Sequence, residues 1–205
     1  MKIWLTPAAR MLALLALVPV VLSGAAAEGK VTVKDEFAKD NPKWKFVTGR
    51  WVRRTSSGRP VLAQTVETQP WAVALLEDQA FADVDVSVRF RPISGKEDAS
   101  GGIILRARDG QNYLLVRANA LENNFRLYSI VNGTRRTLAS AKVVEPKLGD
   151  WHTLRVVATG PRIQAWLDGA PLLDHQDTTF TRGWLGLWTK ADSVTEFADL
   201  EASGT

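Results

Sequence analysis

From residue 31 onward apolar side chains recur at every second position, and a period of two restricts a chain to β-strands. The clearest stretch is Asp83–Arg91 (DVDVSVRFR). Val84, Val86, Val88 and Phe90 fall on one side, and Asp83, Asp85, Ser87, Arg89 and Arg91 on the other. The same reasoning predicts strands over 31–35, 51–54, 61–65, 71–76, 102–108, 113–119, 125–131, 136–143, 151–159, 163–167, 184–189 and 194–202. Turn dipeptides separate them: Ser57-Gly58, Asp109-Gly110, Asn132-Gly133, Gly160-Pro161 and Asp168-Gly169. No stretch carries three turns of amphipathic helix. About a dozen short antiparallel strands without a linker or repeat predict one all-β domain, a sandwich or a barrel.

The first 27 residues read differently. Lys2 and Arg10 precede the apolar run Met11–Leu22, and Ala25-Ala26-Ala27 supplies the small residues of a signal-peptidase site. Cleavage after Ala27 is expected, leaving residues 28–205 as an exported domain, periplasmic or extracellular. The apolar run of about 12 residues is short of the ~20 needed to span a bilayer, so no membrane span is expected in the mature chain. There is no cysteine, which excludes disulfides, thiolate metal sites and cysteine nucleophiles. The net charge is +4 for the whole chain, and the arginines are interleaved with acids rather than gathered in a run, which argues against nucleic acid as a partner.

The strand faces give the first functional hint. Across the Asp109-Gly110 turn, Ile103, Leu105, Ala107, Leu114, Val116 and Ala118 make a wholly apolar face that belongs to a core. The opposite face carries Arg106, Arg108, Tyr113, Leu115, Arg117 and Asn119. The next strand sends Tyr128 the same way, and Trp184 and Trp188 follow near the C-terminus. An outer face offering Arg, Asn, Tyr and Trp suits a sugar. The C–H face of a pyranose lies on an aromatic ring while its hydroxyls meet planar multi-donor groups. A bland reading stands beside this one: aromatic rings bracing loops, and arginine stems covering apolar area.

Several runs resemble the 3-keto-disaccharide hydrolase domain family. They include Gly101-Gly102-Ile103-Ile104-Leu105-Arg106-Ala107, Asn112 to Asn124, Trp151-His152-Thr153-Leu154 and Gly186 to Ser193. The resemblance spans the mature chain and implies a concanavalin-like jelly-roll β-sandwich of two antiparallel sheets, similar to family 16 glycoside hydrolases. It also implies a carbohydrate partner. The Glu-x-Asp-x-Glu run of family 16 is absent, so catalysis does not follow from it. Glu122 and Asp192 are the candidate catalytic carboxylates, each in a loop beside the Arg/Tyr/Trp face. The candidate sugar-binding residues are Arg106, Tyr113, Arg117, Asn119, Tyr128, Trp188 and Lys190. The resemblance further implies a structural calcium held by Asp35, the Gly49 carbonyl and Asp199, since oxygen ligands suit that hard cation. His152 and His175 lack a third ligand at zinc spacing. Three functions stay open: an exported glycan binder, a hydrolase of (3-keto-)glycosides, and a laminin-G-like protein-interaction module.

Overall fold

The computed structural model describes Met1 and residues 29–205; the expected signal sequence, 1–27, lies outside the described residues apart from Met1. Fifteen strands follow in chain order. The first five are β1 (Val31–Asp35), β2 (Trp44–Thr48), β3 (Trp51–Ser56), β4 (Arg59–Gln64) and β5 (Thr68–Phe81). Then come β6 (Val84–Ser94), β7 (Ser100–Asp109), β8 (Asn112–Asn119), β9 (Asn124–Val131) and β10 (Thr134–Lys142). The last are β11 (His152–Thr159), β12 (Arg162–Leu167), β13 (Ala170–Gln176), β14 (Gly183–Ala191) and β15 (Val194–Gly204). They form two antiparallel sheets. One runs β13-β12-β11-β6-β15-β4-β3, with β1 also on β15; the other runs β10-β9-β8-β7-β14-β5-β2. This is the jelly-roll sandwich the sequence predicts.

The alternation read from the sequence builds the space between the sheets. Val84, Val86, Val88 and Phe90 of β6 meet Ile103, Leu105, Leu114, Val116, Phe125 and Leu187 from the facing sheet, all buried. Trp51 packs on Phe197 with ring centroids 5.9 Å apart. Fully burying a side chain of this size contributes about 1.5–3 kcal/mol, so this layer supplies the main driving force for folding.

Two strands escaped the pattern. β2 is an edge strand with only Trp44 buried, so it shows no alternation. β13 begins Ala-Pro and meets β12 through a register shift opposite Ala165 and Trp166, which breaks the period.

The outer face of the eight-stranded sheet is a charged surface with one buried acid. Glu196 is 1 % exposed, and its carboxylate accepts hydrogen bonds from Arg54 (2.8 Å) and Arg91 (2.9 Å from Nε). The guanidiniums of Arg59, Arg89 and Arg91 lie over Trp151 at 4.9–5.9 Å.

Candidate functional site

The seven-stranded sheet has a second apolar cluster on its other face. Val73, Leu75, Ile104, Leu115, Ile130 and Trp188 belong to it, with Ala107, Tyr113 and Tyr128, and with Trp71 and Trp184 packed against its rim. The sequence placed Tyr113, Tyr128 and Trp188 on the face away from the core, and they are there. That face is not solvated, however: all three rings are at most 1 % exposed. The aliphatic residues interleaved with them make it an apolar layer of its own.

Register explains how the side chains meet. Arg126 pairs with Arg117, Arg117 with Gly102, and Gly102 with Trp188, in one row across four strands. Gly102 is required there. A Cβ at this position would lie 2.7 Å from Leu115 Cδ1 and 2.9 Å from the Val116 carbonyl oxygen. Leu115 takes the space that a side chain at 102 would fill.

A polar network closes one end of this row. Arg117, 1 % exposed, donates to Glu122 (2.9 Å), to Asn124 Oδ1 (3.0 Å) and to the Tyr128 hydroxyl (3.1 Å). Its Nη1 lies 3.5 Å from Asp98. Asp98 is fully buried and accepts from Asn119 Nδ2 at 2.6 Å and from Lys190 Nζ. The Asn119 carbonyl oxygen accepts in turn from the backbone N–H groups of Ala99 (3.1 Å) and Leu121 (3.0 Å). Arg126 reaches the Tyr128 hydroxyl at 3.4 Å. Arg135, on β10, lies over Tyr128 at 4.8 Å and over Trp71 at 5.7 Å. The structure therefore brings together Tyr113, Arg117, Asn119, Glu122, Tyr128, Trp188 and Lys190. It adds Asp98, Asn124, Arg126, Arg135 and Trp71, which the sequence reading did not select.

Asp192 lies next to the network rather than in it. Ala191 at φ 50° turns the chain so that the Asp192 carboxylate accepts from the backbone N–H groups of Glu97 (3.2 Å) and Asp98 (3.0 Å), with Lys96 N closer still. Burial raises the Asp192 carboxyl, but these amides outweigh it and hold the group below the ordinary range. It positions the loop that presents Asp98.

Arg106 is a correction. A bulge between Leu105 and Asp109, with Arg106 at φ 51°, exchanges the two faces at this point. Ala107 joins the aromatic cluster, while Arg106 turns to donate to the carbonyls of Ala82 (2.8 Å), Gly160 and Phe180 (3.1 Å). It ties three connections together and stands apart from the Arg117–Trp188 row.

The calcium set does not assemble either. The Asp35 carboxylate is taken up by Phe37 N (2.7 Å), Asn41 Nδ2 (2.9 Å) and Trp44 Nε1 (2.8 Å). Asp199 is paired with Arg59 and lies 3.7 Å from Arg89. Gly49 sits in the β2–β3 turn with φ 85°. Among the described residues no group of three or more His, Asp or Glu is placed to hold a metal. N–H donors on one carboxylate and guanidiniums on the other do not fit a cation.

The carboxylates bear on catalysis. Burial alone would raise Glu122, but hydrogen bonds from Arg117 and Asn124, with the charges of Arg117 and Arg126, hold it down to about 2. Because its folded value lies below the ordinary value of 4.5, its contribution to stability is present above about pH 4.5 and lost as pH falls toward 2. Thermal stability is thus expected to be flat in this respect from pH 5 to 8. An acid limb below pH 4.5 should shrink in Glu122→Gln, measured by unfolding at a series of pH values. A carboxyl so acidic does not act as a general acid near neutrality.

Fold and site together define a concanavalin-like β-sandwich of the kind shared by carbohydrate-binding modules and glycoside hydrolases. Residues 32–201 match the model of the 3-keto-α-glucoside-1,2-lyase-like domain, and the chain belongs to that family. Among solved structures it is similar to the carbohydrate-binding module CBM66 from Bacillus subtilis. The TM-score is 0.67 at 19% identity, covering 78% of this chain and 94% of that one. A Bacillus subtilis protein of unknown function with a galectin-like fold gives 0.62 at 12% identity, covering 83% and 94%. The Bacillus licheniformis β-glucanase gives 0.58 at 10% identity, covering 85% and 98%. No curated protein sequence matches the chain. Among the described residues no helix is long and apolar enough to cross a membrane.

Proposed function

We propose that this chain is an exported carbohydrate-binding protein that holds a glycan against the Trp71/Trp188 side of the seven-stranded sheet. The observation that carries the reading is a set of buried donors without hydrogen-bond partners beside stacked rings. Arg117 Nε and Arg135 Nη1 lack one, and Tyr113 Oη and Trp188 Nε1 have only each other. Buried polar atoms are nearly always satisfied, so each exception calls for a partner, and a bound ligand supplies one. Trp71 and Trp188, 5.9 Å apart and tilted by 36°, offer the apolar wall beside them. Sugars supply both halves of this chemistry: C–H faces for the rings and hydroxyl oxygens for the donors. The family and the likeness to a carbohydrate-binding module support the same reading, and the apolar run at 11–22 supports export.

Cleavage of 3-keto-glucosides is the second reading, favoured by the family description. Against it, the network's carboxylates are all engaged. Asp98 and Glu122 are ion-paired, and Asp192 is bound by amides. Titration calorimetry over a glycan panel tests the leading reading. Trp71→Ala, a change at the rim, should weaken binding by about tenfold or more, the loss of one stacking platform. Failure of every glycan to bind would overturn the proposal. Product release from a 3-keto-glucoside that Glu122→Gln abolishes would replace it with the enzymatic one.

A further inference from the structure

Resting on that reading, we propose that the sugar taken here is acidic, with a ring carboxylate recognised by Arg135 and Arg126. The charges at the site do not balance. Its cations are Arg117, Arg126, Arg135 and Lys190, and its anions in direct contact are Asp98 and Glu122. Arg117 and Lys190 are used by those two acids. Among the described residues Arg126 donates only to the Tyr128 hydroxyl, at 3.4 Å, and Arg135 has ring contacts but no carboxylate within ion-pair distance.

A neutral sugar satisfies donors but leaves Arg135 uncompensated and Arg126 with only Glu122, already paired to Arg117, as a counter-charge. A carboxylate does both, because its two oxygens match the guanidinium fork in a bidentate, charge-assisted pair. The position of Arg135 favours this over a structural role. It lies over Tyr128 and Trp71, and its Nη1 is buried without a partner. Arg135 stands over Trp71, so a sugar held at that ring lies within reach of its guanidinium. Arg117 Nε nearby also lacks a partner and can only donate. Such a set selects a ligand rich in acceptors.

The test compares matched pairs by calorimetry: oligosaccharides containing glucuronate or galacturonate, and the same oligosaccharides with the carboxyl reduced to hydroxymethyl. The acidic member should bind about tenfold tighter or more. The advantage should fall as salt rises, since the guanidiniums are partly exposed. Arg135→Gln should remove the advantage, because it weakens the acidic member far more than the reduced one. Should that variant unfold, Arg126→Gln carries the same comparison. Equal affinity for both members, or an advantage that survives both substitutions, would overturn the inference and leave glycan binding standing. Preference for a sulfated sugar with no response to uronates would overturn the carboxylate assignment. No binding to any sugar, acidic or neutral, would instead refute the glycan reading itself.

Discussion

Asp98→Ala should lower the melting temperature by roughly 10 °C and abolish glycan binding. The Asp98 carboxylate has no contact with water; it accepts from Asn119 and pairs with Lys190 and Arg117. Its removal leaves the Arg117 guanidinium buried beside a second cation, with Glu122 as the remaining counter-charge. Breaking a buried pair from one side costs about 3–5 kcal/mol, much of it the desolvation of the charge left behind. At ~2–4 °C per kcal/mol for a domain of this size, the shift is large and easily measured. Asp98→Asn keeps the shape and loses the charge, so it should fall between wild type and alanine. A stable Asp98→Ala protein that still bound its glycan would show that Arg117 is held by Glu122 and Tyr128 alone.

The same residue shows where sequence reading ends. The sorting of side chains between faces was legible, because strand geometry turns spacing into direction. Ile103, Leu105, Leu114 and Val116 lie in the core, and Tyr113, Tyr128 and Trp188 lie on the other face. Asp98 sits in an aperiodic loop that Asp192 shapes from 94 residues away, and no local spacing reveals such a partner. Arg135 is the second residue of β10 and lies one residue before the strand the alternation suggests, so its place above Tyr128 was hidden by a boundary. Trp71 opens a predicted strand, but its neighbour Trp188 comes from a strand more than a hundred residues later, which local spacing does not reveal. Burial of the second face was also out of reach. Alternation tells which side a residue takes, whereas the depth of that side depends on how the strands assemble.

Arg106 carries the second large effect, and its direction separates the two roles the residue has been given. As a sugar ligand it would be dispensable for folding; as a strut it is indispensable. Its guanidinium, 2 % exposed, donates to the Ala82 carbonyl at the β5–β6 turn, to Gly160 at the β11–β12 turn, and to Phe180 in the β13–β14 connection. Those anchors come from both sheets, so the arginine pins the two layers together at one end. Arg106→Met keeps most of the volume but leaves three carbonyls without their donor. Hydrogen bonds from a charged group contribute about 1.5–3 kcal/mol each, and the buried oxygens left behind add their own penalty, so a net loss of about 3–5 kcal/mol is expected. Arg106→Lys should recover only part of it, because one ammonium cannot reach three carbonyls along a fork. Glycan affinity, measured at a temperature where the variant remains folded, should stay within about twofold of wild type, a difference under 0.5 kcal/mol. The left-handed backbone at 106 makes this outcome specific: the bulge that removes Arg106 from the aromatic face is also what aims it at those carbonyls. A variant with unchanged stability and lost binding would return Arg106 to the site and mean that the face does not switch at the bulge.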